Sequence, residues 1–135
     1  MMNSALVHTM LRVVDLDESL RFYVDTLGMK VWRHEEHPLG RFTLVFVGYG
    51  DEDGVTLELT HNWGREKPYV HGTAFGHVAI AVDDVARVCA CITSAGFTVT
   101  RSPGPMAHAS TSGRAPEHIA FVRDPDGYPV ELIQR

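Results

Sequence analysis

The chain has only two cysteines among its 135 residues, Cys89 and Cys91, and it contains no CxxC motif. In a predicted helix, a spacing of two places their side chains about 200° apart around the axis, so a disulfide between them is not expected. The absence of CxxC argues against a thioredoxin-like redox site. We interpret both cysteines as small, buried or half-buried apolar residues.

Long hydrophobic runs and basic stripes are also absent. Residues 1–7 show no charged segment followed by an apolar stretch, so neither a signal peptide nor a membrane helix is predicted, and we expect a cytoplasmic protein. The net charge of −5, with both signs interspersed, makes nucleic acid an unexpected partner. A hydrophobic content of 44% is ordinary for one globular domain or two intimate half-domains.

One arrangement occurs twice in the sequence. His8 opens an alternating apolar run, and fifty residues later Glu58 lies inside another such run. His77 then opens a third run, and fifty-four residues later Glu131 lies inside a fourth. Strand interiors seldom carry Glu without a partner, so the repeat suggests one metal centre assembled from two related modules.

Each half of the chain is predicted to fold as a βαβββ module, residues 1–66 and 67–135, giving an α+β protein with curved mixed sheets. The first module should contain strands at residues 6–13, 29–33, 42–47 and 55–60, and a helix that begins with a capping box at Asp15 and Glu18 and ends at Gly28. The second should contain strands at 78–82, 97–101, 119–123 and 128–133, and a helix that begins at Asp83 and Asp84 and ends at Gly96. Residues 64–75 are predicted to be a linker and residues 103–117 a long exposed loop.

The donors of the repeat, His8, Glu58, His77 and Glu131, form a mixed nitrogen and oxygen set. Such a set suits Zn²⁺, Ni²⁺, Co²⁺ or Fe²⁺ and disfavours soft-metal sites. The structural alternative is a pair of buried His–Glu ion pairs, which burial alone would not favour. The six other histidines are interpreted as surface or hydrogen-bonded residues: His34, His37, His61, His71, His108 and His118.

Five segments resemble the glyoxalase I enzymes of the vicinal-oxygen-chelate superfamily, in particular the short bacterial type. They are HTMLRV from His8, FY at Phe22 with LGM at Leu27, LELTHNW from Leu57, GHVA from Gly76, and DPDGY from Asp124 leading to Glu131. DPDGY alone is common across the superfamily, whereas LELTHNWG combined with HTMLRV is specific.

The resemblance implies a homodimer with one divalent metal per site, Ni²⁺ or Co²⁺ more often than Zn²⁺. The resemblance implies that the first His…Glu pair comes from one chain and the second from its mate. The residues alone do not decide whether the pairs combine within one chain or between two. The implied activity is that of lactoylglutathione lyase. This enzyme isomerises the methylglyoxal–glutathione hemithioacetal to S-lactoylglutathione through a metal-stabilised enediolate and thereby detoxifies methylglyoxal.

Roles of single residues follow from the same resemblance. Glu131 would be the main base, and Glu58 could serve the opposite stereoisomer of the hemithioacetal. Glutathione would be bound by Arg12, Asn62 and Arg101. Independently of the resemblance, Trp63, Phe75 and Met106 could form an apolar wall around the methyl group, and packing in the core is the alternative for each.

The segment from Met106 to His118 departs from the family pattern, because it is longer and lacks the usual Lys. Arg114 could replace that charge, and the identity of the thiol stays open. The rival hypotheses are an acyl-CoA epimerase, a ring-cleaving dioxygenase, a thiol transferase and a metal-free drug-binding protein of the same fold.

Overall fold

The computed structural model describes residues 2–135 and divides into two compact units, one ending at Val70 and the other running from His71 to Arg135. In the first unit the elements are β1 (His8–Arg12), α1 (Leu16–Leu20), a π-helical segment (Arg21–Thr26), β2 (Lys30–His37), β3 (Phe42–Gly48) and β4 (Thr56–Asn62). Its sheet has the order β1-β4-β3-β2, in which β1 runs parallel to β4 and the other pairs are antiparallel.

The second unit repeats this topology with β5 (Val78–Val82), α2 (Val85–Ser94), β6 (Thr98–Pro105), β7 (His118–Arg123) and β8 (Pro129–Gln134). Its sheet order is β5-β8-β7-β6, and again the first and last strands are parallel neighbours. The predicted α+β class and the two βαβββ modules are confirmed.

Both α-helices begin at the aspartate that was predicted to cap them. The Asp15 carboxylate accepts from the amide of Glu18 at 3.2 Å, and the Asp84 carboxylate accepts from the amide of Arg87 at 3.0 Å. The predicted capping box is wrong in its reciprocal half, because the Glu18 carboxylate receives both Nε and Nη2 of Arg21 at 3.0 Å. That hydrogen-bonded pair lowers the pKa of Glu18.

The helix ends follow the predicted glycines. Gly28 and Gly96 have φ values of 77° and 88°, in the left-handed region that lets the chain turn out of a helix without a Cβ penalty. The first helix continues past α1 as a π-helical segment, in which the amide of Leu27 reaches the carbonyl of Phe22 at 3.0 Å.

Each unit has its own apolar core. The fully buried side chains of the first unit include Val13, Phe22, Tyr23, Val45, Val47 and Leu59; those of the second include Val85, Ile92, Ala120, Val122, Val130 and Leu132. Phe22 and Tyr23 pack edge to face, with ring centroids 4.8 Å apart. Across residues 2–135, no helix is both long and apolar enough to cross a membrane.

The cysteines are both free, and they differ in environment. Cys89 is buried on the inner face of α2, and burial raises the pKa of its thiol. Cys91 is exposed, so the expectation that both would be at least half-buried is wrong for this residue.

Several predicted strand limits are also wrong. β1 begins only at His8, and β2 continues to His37 because β3 pairs with it through Phe42. β6 reaches Pro105, inside the segment that was predicted to be a loop, and it accommodates two shifts of register on the way. A bulged edge strand tolerates proline because its amide need not join the ladder.

Candidate metal centre

The first pair, His8 and Glu58, lies on the two parallel strands of the first sheet. His8 begins the edge strand β1, and Glu58 lies in the middle of β4, where it is registered with Met10. His8 Nε2 and Glu58 Oε2 are 2.5 Å apart. The other carboxylate oxygen of Glu58 accepts from the Thr60 hydroxyl at 3.4 Å. The carboxylate is thus held from two sides, while 35% of the His8 side chain stays exposed.

The second pair, His77 and Glu131, repeats this placement in the second sheet. His77 directly precedes the edge strand β5, and Glu131 lies on β8, the parallel neighbour of β5. His77 Nε2 and Glu131 Oε1 are 3.3 Å apart. Side-chain exposures of 42% for His77 and 11% for Glu131 match the first pair, with the carboxylate deep and the imidazole at the rim.

The distances suit two donors to a common ion. Ligands about 2.0–2.2 Å from one first-row divalent metal and adjacent in its coordination sphere lie roughly 3 Å from each other. The 3.3 Å of the second pair is close to that separation, and the 2.5 Å between His8 Nε2 and Glu58 Oε2 is somewhat shorter. Within residues 2–135, no group of three or more His, Cys, Asp or Glu side chains is placed to hold an ion, and each His–Glu pair brings together two candidate donors.

A cavity of about 380 Å³ opens beside the first pair. Its walls are formed by residues of β1, β2, β3 and the turn before β4: Val7, His8, Trp32, Arg33, Phe46, Glu52, Asp53, Gly54 and Thr56. The indole Nε1 of Trp32 is buried without a hydrogen-bond partner. The guanidinium of Arg33 lies 4.0 Å from the Phe46 ring centroid and is fixed by Glu35 at 2.9 Å. An unpaired donor and a cation therefore lie beside the imidazole of His8.

The three residues predicted to bind glutathione differ in exposure and in hydrogen-bond partners. Arg12 is exposed at the end of β1, four residues after His8. Asn62 ends β4, and its amide nitrogen donates to the Tyr69 hydroxyl at 3.1 Å.

Arg101 is engaged with the main chain of its own unit. Its Nη1 donates to the carbonyls of Ser102, Gly104 and Ile119 at 3.2, 2.9 and 2.9 Å, and its Nη2 donates to Pro105 at 2.5 Å. These bonds join carbonyls of β6 and β7 on both sides of the shifted register, so the guanidinium links the two strands where their pairing is irregular.

The residues suggested for an apolar wall also have partners. Trp63 Nε1 donates to the Thr43 hydroxyl at 2.8 Å, and that hydroxyl donates to Glu36 at 2.6 Å. The hydrogen bond from Thr43, aided by His34, holds the pKa of Glu36 below its ordinary value.

Phe75 packs edge-on against Tyr128, with centroids 5.4 Å apart. Met106 lines a separate cavity of about 330 Å³ with Arg114 and Arg135. The roles proposed for these wall residues stay predictions.

Sequence reasoning missed two phenylalanines that contact the paired histidines. Phe46 lies edge-on to His8 and Phe121 edge-on to His77. The signal that could have found them is register: each belongs to the strand that forms a hairpin with the Glu-bearing strand, and the turn length sets which residue lies opposite the Glu.

Comparison with known proteins assigns the chain to a superfamily. Residues 5–132 match the family model described as the Glyoxalase/Bleomycin resistance protein/Dioxygenase superfamily. The chain belongs to this superfamily. It is 53% identical, over 131 residues, to the lactoylglutathione lyase of Neisseria meningitidis serogroup B, covering 96% of this chain and 90% of the relative.

Two solved structures extend the likeness to the fold. Glyoxalase I from Zea mays superimposes with a TM-score of 0.85 at 43% identity over 96% of this chain, which spans only 44% of the maize chain. The trypanothione-dependent glyoxalase I of Leishmania major gives a TM-score of 0.79 at 41% identity, covering 98% of this chain and 87% of that one.

Proposed function

We propose that this superfamily member is a metal-dependent lactoylglutathione lyase that converts the methylglyoxal–glutathione hemithioacetal to S-lactoylglutathione. The observation that carries the proposal is the duplicated His–Glu pair, with one nitrogen and one oxygen donor within 3.3 Å in each unit. A relative about half identical over nearly the whole chain bears the name of that enzyme.

The ligands of the proposed centre are His8, Glu58, His77 and Glu131. When bound, a divalent ion would act as a Lewis acid and as a template for the two vicinal oxygens of the substrate. By resemblance to the short bacterial enzymes, Ni²⁺ or Co²⁺ is the proposed occupant, with Zn²⁺ possible, and the mixed imidazole and carboxylate set is compatible with all three. A centre with four protein donors needs two pairs, and each unit supplies one.

Proton transfer is assigned to the carboxylates. Glu131 removes the proton from C1 of the hemithioacetal and returns it to C2, while the C1 hydroxyl proton ends on the oxygen of C2. C1 is thereby oxidised to a thioester and C2 is reduced to an alcohol, so no external oxidant or reductant is consumed. Glu58 performs the same transfer for the opposite stereoisomer. Both carboxylates are shielded, which limits proton exchange with bulk water.

Binding of the thiol conjugate is assigned to Arg12, Asn62 and Arg101. Arg12 has the geometry for bidentate pairing with a carboxylate. Asn62 already uses one donor on Tyr69, and its remaining amide groups face the substrate in this proposal. Arg101 acts after a change of partners, since its nitrogens now bind carbonyls.

The proposed assembly is a homodimer, in which the first pair of one chain and the second pair of its mate complete one centre. His8 begins one edge strand and His77 directly precedes another, and an edge strand is where a second copy can cover exposed sheet. The cytoplasmic location expected from the sequence stays a prediction.

The test is reconstitution of the metal-free protein. Protein treated with a chelator and reloaded separately with Ni²⁺, Co²⁺ or Zn²⁺ is supplied with methylglyoxal and glutathione, and thioester formation is followed by ultraviolet absorbance. We expect activity to vanish on chelation and to return best with Ni²⁺ or Co²⁺. His8→Ala and His77→Ala should abolish it, whereas His108→Ala, in the exposed loop, should not.

The same preparation separates the rivals. Trypanothione in place of glutathione tests the thiol, a chiral acyl-CoA tests epimerisation, a catechol with Fe²⁺ tests ring cleavage, and fosfomycin with a thiol tests transfer. If no metal supports lactoylglutathione formation but one of these alternative substrates is turned over, the corresponding rival function replaces the proposal.

A further inference from the structure

A phenylalanine contacts the His–Glu pair of the first unit from the neighbouring strand. Phe46 on β3 lies directly across from Glu58 on β4. Its ring stands edge-on to the His8 imidazole, with centroids 5.5 Å apart and planes at 74°. The ring therefore touches one member of the pair and shares a cross-strand position with the other.

The second unit contains the same arrangement. Phe121 on β7 lies directly across from Glu131 on β8. Its ring stands edge-on to the His77 imidazole, with centroids 5.2 Å apart and planes at 86°. A chance contact would have no reason to recur at the same strand, the same register and nearly the same angle in a unit of different sequence.

The geometry gives the ring a physical task. Both histidines stand at the rim of their sheets, more than a third exposed, where an imidazole is free to sample several rotamers. An aromatic edge-to-face contact favours one ring orientation and blocks rotation through the space that the phenyl group fills. In each unit the favoured orientation is the one that directs Nε2 at the carboxylate.

We propose that Phe46 and Phe121 are positioning residues, which hold the imidazoles of His8 and His77 in the orientation that binds the metal. The inference rests on the proposed function for the identity of the ligands. An edge-to-face aromatic contact changes an equilibrium constant by roughly 2- to 10-fold, and we expect each phenylalanine to contribute to metal affinity within that range.

The two contacts differ in strength. Phe46 is only 5% exposed, and the Arg33 guanidinium also contacts its ring, 4.0 Å from the ring centroid. Phe121 is half-buried. The ring of Phe46 is therefore the more firmly held, and its removal should have the larger effect.

The test compares Phe46→Leu and Phe121→Leu with a matched control, Phe42→Leu. Phe42 lies on the same strand as Phe46 and also packs on a histidine, His37, at 4.6 Å, outside the proposed centre. Metal-free variants are titrated with Ni²⁺ by calorimetry, and their Co²⁺ forms are examined by visible absorption. Circular dichroism confirms that each variant is folded.

We expect Phe46→Leu and Phe121→Leu to weaken Ni²⁺ binding by roughly 2- to 10-fold and to change the Co²⁺ spectrum. Phe42→Leu should leave both unchanged. Phe46→Tyr and Phe121→Tyr, which keep the aromatic ring, should retain the Ni²⁺ affinity and the Co²⁺ spectrum of the unaltered protein. A merely structural role would lower stability without altering the Co²⁺ spectrum of the folded protein.

Two results would overturn the inference, and they are distinguishable. If His8→Ala abolishes Ni²⁺ binding but folded Phe46→Leu and Phe121→Leu bind it as Phe42→Leu does, the ligands stand and the positioning role is refuted. If His8→Ala binds Ni²⁺ like the unaltered protein, the proposed centre itself fails and the positioning role falls with it.

Discussion

Replacement of Glu131 by glutamine separates the base from the ligand. The glutamine side chain has nearly the same shape, and its amide oxygen can keep the 3.3 Å contact with His77 Nε2. Glu131 is only 8% exposed, so a water molecule has little room to enter and act as the base in place of the carboxylate. The exchange should therefore leave the pair in place and remove the group that accepts the proton.

The expected loss follows from the size of general base catalysis. A positioned base contributes about 10²- to 10⁴-fold, which corresponds to about 2.7–5.4 kcal/mol in the activation barrier at 1.36 kcal/mol per factor of ten. We expect kcat to fall by that factor at full metal occupancy, with KM for the hemithioacetal little changed. Steady-state kinetics and metal analysis of the same sample measure both quantities.

Glu117→Gln is the matched control for this experiment. Glu117 also loses a charged contact, its 2.8 Å ion pair with Arg135, yet it belongs to neither His–Glu pair. Its kcat should stay near the unaltered value. A Glu131→Gln protein that is fully loaded with metal and turns over at the normal rate would refute the assignment of the base.

Three further predictions concern the core, the substrate and pH. Leu59→Ala, at a position with no exposed surface beside Glu58, should lower the free energy of unfolding by about 2–5 kcal/mol in urea titrations; a smaller loss would mean that the site relaxes. Arg12→Lys should raise KM for the hemithioacetal by about 10-fold or more while sparing kcat, since lysine cannot pair with a carboxylate bidentately; equal falls in kcat and kcat/KM in initial-rate measurements would contradict this. The hydrogen bond from Thr43 lowers the folded pKa of Glu36, so its contribution to stability is complete above its unfolded pKa and is lost as the pH falls through the lower folded value. Glu36→Gln should therefore flatten the acid side of the stability curve from chemical unfolding at several pH values, and an unchanged curve would exclude the effect.

The fold could be predicted because its signals are local. Aspartate caps, C-terminal glycines and alternating apolar runs each lie within a few residues, and Asp15, Asp84, Gly28 and Gly96 occupy the positions expected of them. The limits of β6 could not be predicted in this way. They depend on Arg101, whose guanidinium satisfies carbonyls from both β6 and β7, a contact between residues eighteen apart in sequence.

The two His–Glu pairs were accessible to sequence reasoning for a different reason. A single histidine in a strand carries little information, but His8 and His77 each precede a strand-borne glutamate by a similar interval. The sequence does not reveal that each pair lies on parallel neighbouring strands, because alternation determines the face of a residue and leaves its partner strand open. Phe46 and Phe121 could not be predicted for the same reason, since the register between neighbouring strands decides that they lie opposite the glutamates.

The parallel strand pair explains why the same site geometry arises twice. In each sheet the histidine stands at the start of an edge strand and the glutamate on the inner strand beside it. An inner strand is fixed by neighbours on both sides, so its carboxylate is shielded and stationary, whereas an edge strand leaves its imidazole accessible. In the proposed centre the glutamates would therefore be the shielded donors and the histidines the accessible ones. The βαβββ module brings the two residues together where its first and last strands meet, and duplication of the module therefore duplicates half of the proposed metal centre.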